Sequence, residues 1–427
     1  MKFRFIHAAD LHLDTPFKGV GKVNPTIAEA LRDASIAAFD NLIDLALQQQ
    51  VAFVILAGDI YDGAERGVRA QLRFLAGLKR LDNAGIRSFI AHGNHDPVEA
   101  GWSAIREWPR LVTVFAHNEV QVETVAIDGA DVATVHGISF AQREESENLA
   151  LRFAGGRGTG LQIGVLHCNV GKDSDHAPYA PCTLDDLVNA GLDYWALGHI
   201  HKRSILRDNH PWVVYPGNIQ GRSSKPSESG AKGAYVVEVD GTSIQSVEFV
   251  PLDAIRFEHI YVSVSDISDL PGMQDNLQER AAELYSQAGS RAIILDASIT
   301  GSGPVHDDLS REGVLDETLQ SLRDASGDYV PFLWWNQLHD ETSPTLDLEK
   351  IRQRNDFAGE LLSLADNILD QENSMSSLSN ELLSDLPKRK LETAGVMVPD
   401  IVSPALWWRA TIHALELLLE ERDSDTP

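Results

Sequence analysis

Along the first 250 residues, short apolar runs alternate with longer stretches in which apolar positions recur every three or four residues. The short runs are rich in β-branched and aromatic residues. They predict strands over 4–7, 51–56, 87–91, 120–127, 132–137, 161–167, 194–197, 212–215 and 234–239. Between 25 and 49, Ile27, Leu31, Ala34, Ala38, Leu42 and Leu45 step by three or four and predict a helix; a second is expected over 68–81. The early half reads as strand–helix–strand units, which favour a parallel sheet, and the later half adds short strands. An α/β fold with two sheets packed as a sandwich satisfies both patterns. Residues 254–326 read strand, helix, strand, helix, as a small appended α/β domain would. From about Val330 the chain is acidic and leucine-rich and is expected to be largely helical. The expected organisation is a main domain over 1–250, a small domain over 251–328 and an acidic helical region over 329–427.

Composition narrows the function. The chain has 427 residues, 43% hydrophobic and 23% charged, enough to bury two or three cores. No apolar run reaches about 18 residues, so no membrane-spanning helix is expected. Asp10 follows Met1 too closely for a secretory leader, and the two cysteines, Cys168 and Cys182, make no disulfide framework; a reducing cytoplasm is the expected setting. Against 36 basic residues stand 63 acidic ones, a net charge of −27. The deficit is concentrated after residue 250, where 13 basic face 33 acidic residues. Bulk charge therefore makes this a poor non-specific binder of polyanions. Any role on nucleic acid needs local positive charge, bound metal or a basic partner.

Candidate chemistry sits at the strand ends. Asp10-Leu11-His12 follows the first strand, and an Asp-x-His step on extended backbone aims a carboxylate and an imidazole the same way. Gly58-Asp59 follows the second strand, Gly93-Asn94-His95-Asp96 the third, His167 ends a later one, and Gly198-His199-Ile200-His201 ends the next. Each alone reads equally well as a turn or a packed polar pair. As a series they are harder to dismiss, because ligands of open α/β sheets bind beyond the carboxyl ends of strands. Asp10, His12, Asp59, Asn94, His167, His199 and His201 suffice for two cations sharing one carboxylate. Mixed imidazole, carboxylate and amide donors suit Mn, Fe or Zn better than Mg or Ca, and the absence of thiolate argues against a closed structural zinc site.

Asp-x-His, Gly-Asp, Gly-Asn-His-Asp, His and Gly-His-x-His, in this order from Asp10 to His201, resemble the calcineurin-like metallophosphoesterase superfamily. Within it, Ala9-Asp10-Leu11-His12-Leu13, Gly58-Asp59-Ile60-Tyr61-Asp62, His92-Gly93-Asn94-His95-Asp96 and Tyr215-Pro216-Gly217-Asn218 are similar to the DNA-repair exonuclease subunits of the SbcD and YhaO type. Residues 9–17 look closest to the YhaO branch, and beyond residue 250 the likeness rests on architecture alone. The resemblance implies that Asp10, His12 and His201 hold one ion, that Asn94, His167 and His199 hold the other, and that Asp59 bridges them. His95 matches the family's non-ligand histidine, which stabilises the transition state or protonates the leaving oxygen. Asp62 departs from members with a second histidine there, so a phosphate contact is not carried over to it. The function implied is a two-metal DNA nuclease, exonuclease or endonuclease, expected to use Mn, with Fe, Zn or Mg as alternatives. Two divalent cations against Asp10 and Asp59 leave about +2 at the site, activate water and clamp phosphate oxygens.

The resemblance further implies that 251–328 caps the site and that C-terminal helices dock on an SbcC- or YhaN-like coiled-coil ATPase, in a homodimer. Over 404–422, Trp408, Ile412, Leu415 and Leu419 form an apolar stripe that suits internal packing as well as a partner. Arg222, Lys225 and Lys232 fall in a Ser-, Gly- and Lys-rich stretch, 217–233, expected to be a polar mobile loop; tracking a phosphate backbone explains them as well as solvation does. His7, His92 and Cys168 read as packed residues, His92 equally as a support for the motif it precedes, and His136 and His176 are assigned no role. Two other functions fit. One is a metallophosphoesterase for a small phosphodiester, nucleotide or phosphoprotein, which suits the acidic surface. The other is a non-catalytic DNA-end-sensing scaffold, against which the complete ligand series speaks.

Overall fold

The structure, a computed structural model, describes residues 1–13, 24–63, 67–99, 103–156, 158–171, 179–289, 291–370, 377–378, 381–382 and 402–424. Residues 14–17 of the first motif and His176 lie outside the described residues. The chain divides into two compact units. One is Met1–His259 with Leu284–Asp296 and Ser326–Asn336; the other is Ile260–Glu283 with Ala297–Ala325 and Gln337–Pro427.

In chain order the strands of the first two sheets are β1 (Lys2–Ala8), β2 (Phe53–Ala57), β3 (Arg87–Ala91), β4 (Val112–Val114), β5 (Gln121–Ile127) and β6 (Ala130–Gly137). There follow β7 (Leu161–His167), β8 (Tyr194–Gly198), β9 (Ser204–Arg207), β10 (Trp212–Tyr215), β11 (Gly233–Asp240) and β12 (Ser243–Pro251). They make two six-stranded sheets, ordered β12-β11-β1-β2-β3-β4 and β5-β6-β7-β8-β10-β9. β1 to β4 run parallel, as do β6, β7, β8 and β10, with antiparallel strands at the flanks.

The two-residue side-chain period explains the layering. Phe3, Phe5, Phe53, Ile55, Phe89 and Ala91 point from the first sheet into a core shared with Ala133, Val135, Ile163, Val165, Tyr194 and Ala196 of the second. The alternate residues Ile6, Val54, Leu56 and Ile90 meet Phe39, Leu42, Phe74 and Leu78 of helices α1 (Pro25–Gln49) and α2 (Val68–Asn83). On the far side of the second sheet, Leu166, Trp195 and Leu197 pack on Leu187 of α3 (Leu184–Asn189). This is the expected two-sheet α/β sandwich, buried on both faces as parallel strands require. α1 begins where read: Pro25 opens it and the Asn24 side chain accepts the N–H groups of Thr26 and Ile27.

A third sheet orders β13 (Ile255–Ser263), β14 (Ala292–Ser302) and β15 (Leu333–Ser343). β15 corrects the expectation of a largely helical chain after Val330. Leu333 and Trp335 are buried by an alternation hidden in an acidic stretch. Helices α4 (Leu270–Ala288), α5 (Val305–Leu309) and α6 (Val314–Ala325) fall between these strands, and α7 (Leu348–Arg352), α8 (Phe357–Asp370) and α9 (Pro404–Ser424) follow. In the second unit the stripe of α9 is used internally: Ile412 and Leu415 are buried with Ile351, Ala358 and Leu362, and Trp408 and Leu419 pack against them. No helix among the described residues is long and apolar enough to cross a membrane.

Candidate metal centre

The carboxyl ends of β1, β2, β3, β7 and β8 deliver the ligand series to one place. Tight turns follow the strands, and four of the seven residues adopt the left-handed region: Asp10 (φ 52), His12 (φ 43), Asp59 (φ 48) and His199 (φ 100). For non-glycine residues this costs of the order of 1 kcal/mol each and persists only where surroundings enforce it. Here backbone bonds lock the first two turns together: Asp10 N–H donates to the Gly58 carbonyl (3.1 Å), His12 N–H to that of Asp59 (3.0 Å) and Leu13 N–H to that of Ile60 (2.9 Å). The His199 N–H donates to both oxygens of Asp10, at 3.0 and 3.1 Å.

The motif glycines are required by close approach. A Cβ on Gly58 would stand 2.1 Å from His167 Nδ1, and one on Gly93 2.3 Å from Asp59 Oδ1. The glycines before Asp59 and Asn94 let their turns touch His167 and Asp59, which explains Gly-Asp and Gly-Asn-His as spacings.

Three groups of donor atoms form among the described residues, one of them His12, Asp62 and His95, which holds the candidate catalytic histidine. Asp10, His12 and His201 bring ligand atoms within 4.8 Å of one another, and so do Asp10, Asp59 and His167. Asp59 Oδ2 lies between the His201 and His167 groups, 3.9 Å from His12 Nε2 and 3.4 Å from His167 Nε2. Asn94 joins the His167 group, its Oδ1 being 3.0 Å from His167 Nε2. His199 lies beside them: its ring is 5.2 Å from that of His167, yet its ring nitrogens belong to no such group among the described residues.

In the His201 and His167 groups electron-pair donors converge in a way that calls for a cation. His167 Nδ1 faces the Ala57 carbonyl at 3.1 Å, so that nitrogen carries the hydrogen. Its Nε2 then turns a lone pair toward Asn94 Oδ1 and Asp59 Oδ2, two further acceptors. His201 Nδ1 faces the Glu228 carboxylate at 2.8 Å, leaving its Nε2 lone pair 3.0 Å from His12 Nε2. The residues therefore fit a pair of metal ions, and the ionisation of the ion-free protein follows the same logic. Burial opposes charge on His167, yet Asp59 and Asp10 outweigh it and push its pKa up to about 9, so a proton is held where a cation belongs. Burial also works against Asp59, but His167, His12 and His95 hold it well below the ordinary carboxylate range. Burial raises Asp10 against the pull of His167 and His201, and it lowers His12, with Arg222 and His201 adding to the effect.

With this geometry established, comparison with known proteins decides the family. Residues 3–203 match the calcineurin-like phosphoesterase family, and residues 257–343 match the middle domain of metallophosphoesterase YhaO. The uncharacterized metallophosphoesterase YhaO of Bacillus subtilis is 35% identical over 347 residues, 81% of this chain and 84% of that protein. The chain belongs to the calcineurin-like metallophosphoesterase family. A DNA double-strand break repair protein Mre11 of Methanocaldococcus jannaschii is 25% identical over 61% of this chain and 69% of that protein. A dimetal phosphatase of Danio rerio aligns in structure over 58% of this chain and 97% of that one, at 14% identity and a TM-score of 0.35; the assignment does not rest on it.

A metallophosphoesterase is a metal-dependent phosphoester hydrolase with a dimetal site, and three residues around this one had no role in the sequence. Asp62 Oδ1 lies 2.7 Å from His95 Nδ1, and its Oδ2 lies 3.3 Å from Arg222 Nη1. Asp62 thus serves His95. Burial works against a charge on His95, but Asp62 and Asp59 raise its pKa above the ordinary value. His95 also donates its backbone N–H to Asp59 Oδ1 (2.9 Å), and its ring stands 5.0 Å from that of His12. Asp96, fully buried, accepts from Ile60 N–H, Gly93 N–H and His92 Nδ1, all at 2.9 Å, and so staples the second turn to the third. Glu228, the third, is treated below.

The stretch 217–233 departs from the mobile loop expected. Asn218, Gln220, Glu228 and Lys232 are all buried. Asn218 Nδ2 donates to Glu228 Oε2 (2.6 Å), and the His201 carbonyl accepts from Asn218 N–H (3.3 Å) and Lys232 Nζ (3.0 Å). Burial lowers the Lys232 pKa to about 8 despite Glu228 and Asp253. Of the three basic residues, Lys232 is thus internal and Arg222 is engaged by Asp62, while Lys225 is exposed. The packed readings hold elsewhere. His7 is buried between Tyr194 OH and the Leu197 carbonyl, and His136, which had no reading, is buried facing Gln162. Cys168 is buried with its sulfur 3.8 Å from that of Cys182.

Proposed function

We propose that this metallophosphoesterase is a two-metal DNA nuclease, an exonuclease with endonuclease capability, that hydrolyses phosphodiester bonds in DNA repair. The observation that carries the reading is the convergence of Asp10, His12, Asp59, Asn94, His167 and His201 beside a histidine held by its own carboxylate, His95 with Asp62. The likeness to DNA double-strand break repair proteins supports DNA as the substrate.

In this reading Asp10, His12 and His201 hold one ion, Asn94, His167 and His199 the other, and Asp59 both; the expected metal is Mn, with Fe, Zn or Mg as alternatives. The ions supply an activated water and charge stabilisation on phosphate oxygens. The chain's own residues do the rest. Asp62 fixes the His95 ring through Nδ1, so the other ring nitrogen is the one that meets the leaving oxygen and protonates it. Asp96 keeps the turns carrying Asp59 and Asn94 in register. The segments proposed are a nuclease domain over 1–250, a capping domain over 251–328 and a partner-binding region over 329–427; the match of 257–343 to a distinct middle domain supports the first division. The partner proposed is an SbcC- or YhaN-like coiled-coil ATPase, in an assembly built on a homodimer.

The test is degradation of end-labelled duplex and single-stranded DNA with Mn, by the wild type and by Asp59→Ala. Expected is DNA cleavage that Asp59→Ala abolishes. Hydrolysis of bis-p-nitrophenyl phosphate with intact DNA would instead assign a small-molecule phosphodiesterase. Duplex binding with neither activity would assign a scaffold.

A further inference from the structure

Glu228 is 6% exposed, and both its oxygens are committed. Oε1 accepts from His201 Nδ1 at 2.8 Å. Oε2 accepts from Asn218 Nδ2 at 2.6 Å and from the Arg222 backbone N–H at 3.1 Å. A carboxylate only accepts, so His201 carries a hydrogen on Nδ1, and the neutral ring then presents its lone pair at Nε2. Nε2 is the atom that meets His12 Nε2 at 3.0 Å in the group with Asp10. We propose that Glu228 is a positioning residue for His201: it selects the imidazole tautomer that can bind a cation and anchors that ring through the turn at Asn218. The inference rests on the reading of His201 as a metal ligand.

A purely structural Glu228 predicts something different, and Glu228→Gln separates the two. Glutamine can keep its carbonyl oxygen on Asn218 and Arg222 and give its NH₂ to His201 Nδ1. Every hydrogen bond of the loop then survives, so a scaffolding role is preserved. The tautomer, however, inverts: Nδ1 becomes the acceptor, and Nε2 carries a hydrogen where the cation should sit. Outer partners of ligating histidines are typically worth about 10–100-fold in metal affinity.

The experiment is calorimetric titration of Mn into the ion-free full-length chain, with ¹⁵N NMR of the histidine rings. In the wild type, His201 should show the Nδ1–H tautomer; an Nε2–H tautomer overturns the proposal without any variant. Glu228→Gln should keep the native circular-dichroism spectrum of the ion-free chain, with a somewhat lower melting temperature because the Glu228 carboxyl is held down to about 2, and show the Nε2–H tautomer. It should also weaken one of two Mn binding steps by about 10–100-fold. Added to His201→Ala, it should cause no further loss. Wild-type Mn binding by Glu228→Gln, or a full additional loss on top of His201→Ala, refutes positioning through His201 while leaving the ligand reading intact. Two wild-type binding steps in His201→Ala itself refute the ligand reading and this inference with it.

Discussion

His95 and Asp62 show how one side chain is prepared for work it cannot do alone. A surface imidazole rotates and exchanges tautomers; this one is held at 2.7 Å by a carboxylate that is itself held by Arg222. On the proposed reading His95→Asn removes the ring but no metal donor, so both ions should still bind while turnover falls about 10²–10⁴-fold. Asp62→Asn leaves the ring in place but loosens it, and a smaller loss of about 10–100-fold is expected. Mn titration beside turnover of bis-p-nitrophenyl phosphate checks both. Equal loss of metal and turnover in His95→Asn would place His95 among the ligands instead. That Asp10, His12, Asp59, His167 and His201 come together was legible only in the series, because each follows a strand end in order, and no single motif announced it. Asp62, Asp96 and Glu228 were not, for a physical reason. Asp62 meets Arg222 160 positions away and Glu228 meets His201 27 away, and although Asp96 meets His92 four residues off, its bond to Ile60 N–H reaches back 36 positions, so nothing local marks these roles.

At the scale of elements, strands that bury both faces announced themselves, as β2 does with Phe-Val-Ile-Leu-Ala and β7 with Leu-Gln-Ile-Gly-Val-Leu-His. β9 and β12 did not, because flanking strands bury little and spell Ser-Ile-Leu-Arg and Ser-Ile-Gln-Ser-Val-Glu-Phe-Val-Pro. The segment 217–233 misled in the other direction: composition cannot tell a solvated polar loop from a polar network folded on itself. A similar network in the second unit ties α9 to α5. His306 Nε2 lies 2.7 Å from Glu416 Oε1, and His413 Nδ1 lies 3.1 Å from Glu416 Oε2. Burial works against the Glu416 charge, but the two imidazoles outweigh it and hold the carboxyl below its usual value of 4.5. A depressed carboxyl contributes stability above the unfolded value, and that contribution is lost as pH falls through the folded one. Glu416→Gln should therefore destabilise the second unit by about 1.5 kcal/mol at neutral pH. The gap should close progressively below pH 4.5. Circular-dichroism melts of both proteins across that range decide it, and a gap that persists unchanged in acid would remove the carboxylate from the account.

For the molecule as a whole, a net charge of −27 must be reconciled with a phosphodiester substrate. Repulsion between an acidic surface and a polyanion acts over about 8 Å at physiological salt and reaches further as salt is removed. Attraction at two bound divalent cations is local and contact-range, so dilution of salt changes it less. The two terms predict an inverted salt response. A basic nuclease gains DNA affinity steeply as salt falls, by about 0.9 logarithmic units per tenfold change for each phosphate neutralised. This chain, assayed alone with Mn, should show a KM for duplex DNA that stays flat or rises as salt falls from about 150 to about 20 mM. Its KM for bis-p-nitrophenyl phosphate, whose single charge meets mainly the ions, should hardly move. Adding a partner that supplies basic surface should restore the ordinary steep dependence, which makes the salt slope a measure of where the DNA-contacting charge resides. A steep ordinary slope for the chain alone would mean that it carries a concentrated basic track of its own and borrows none.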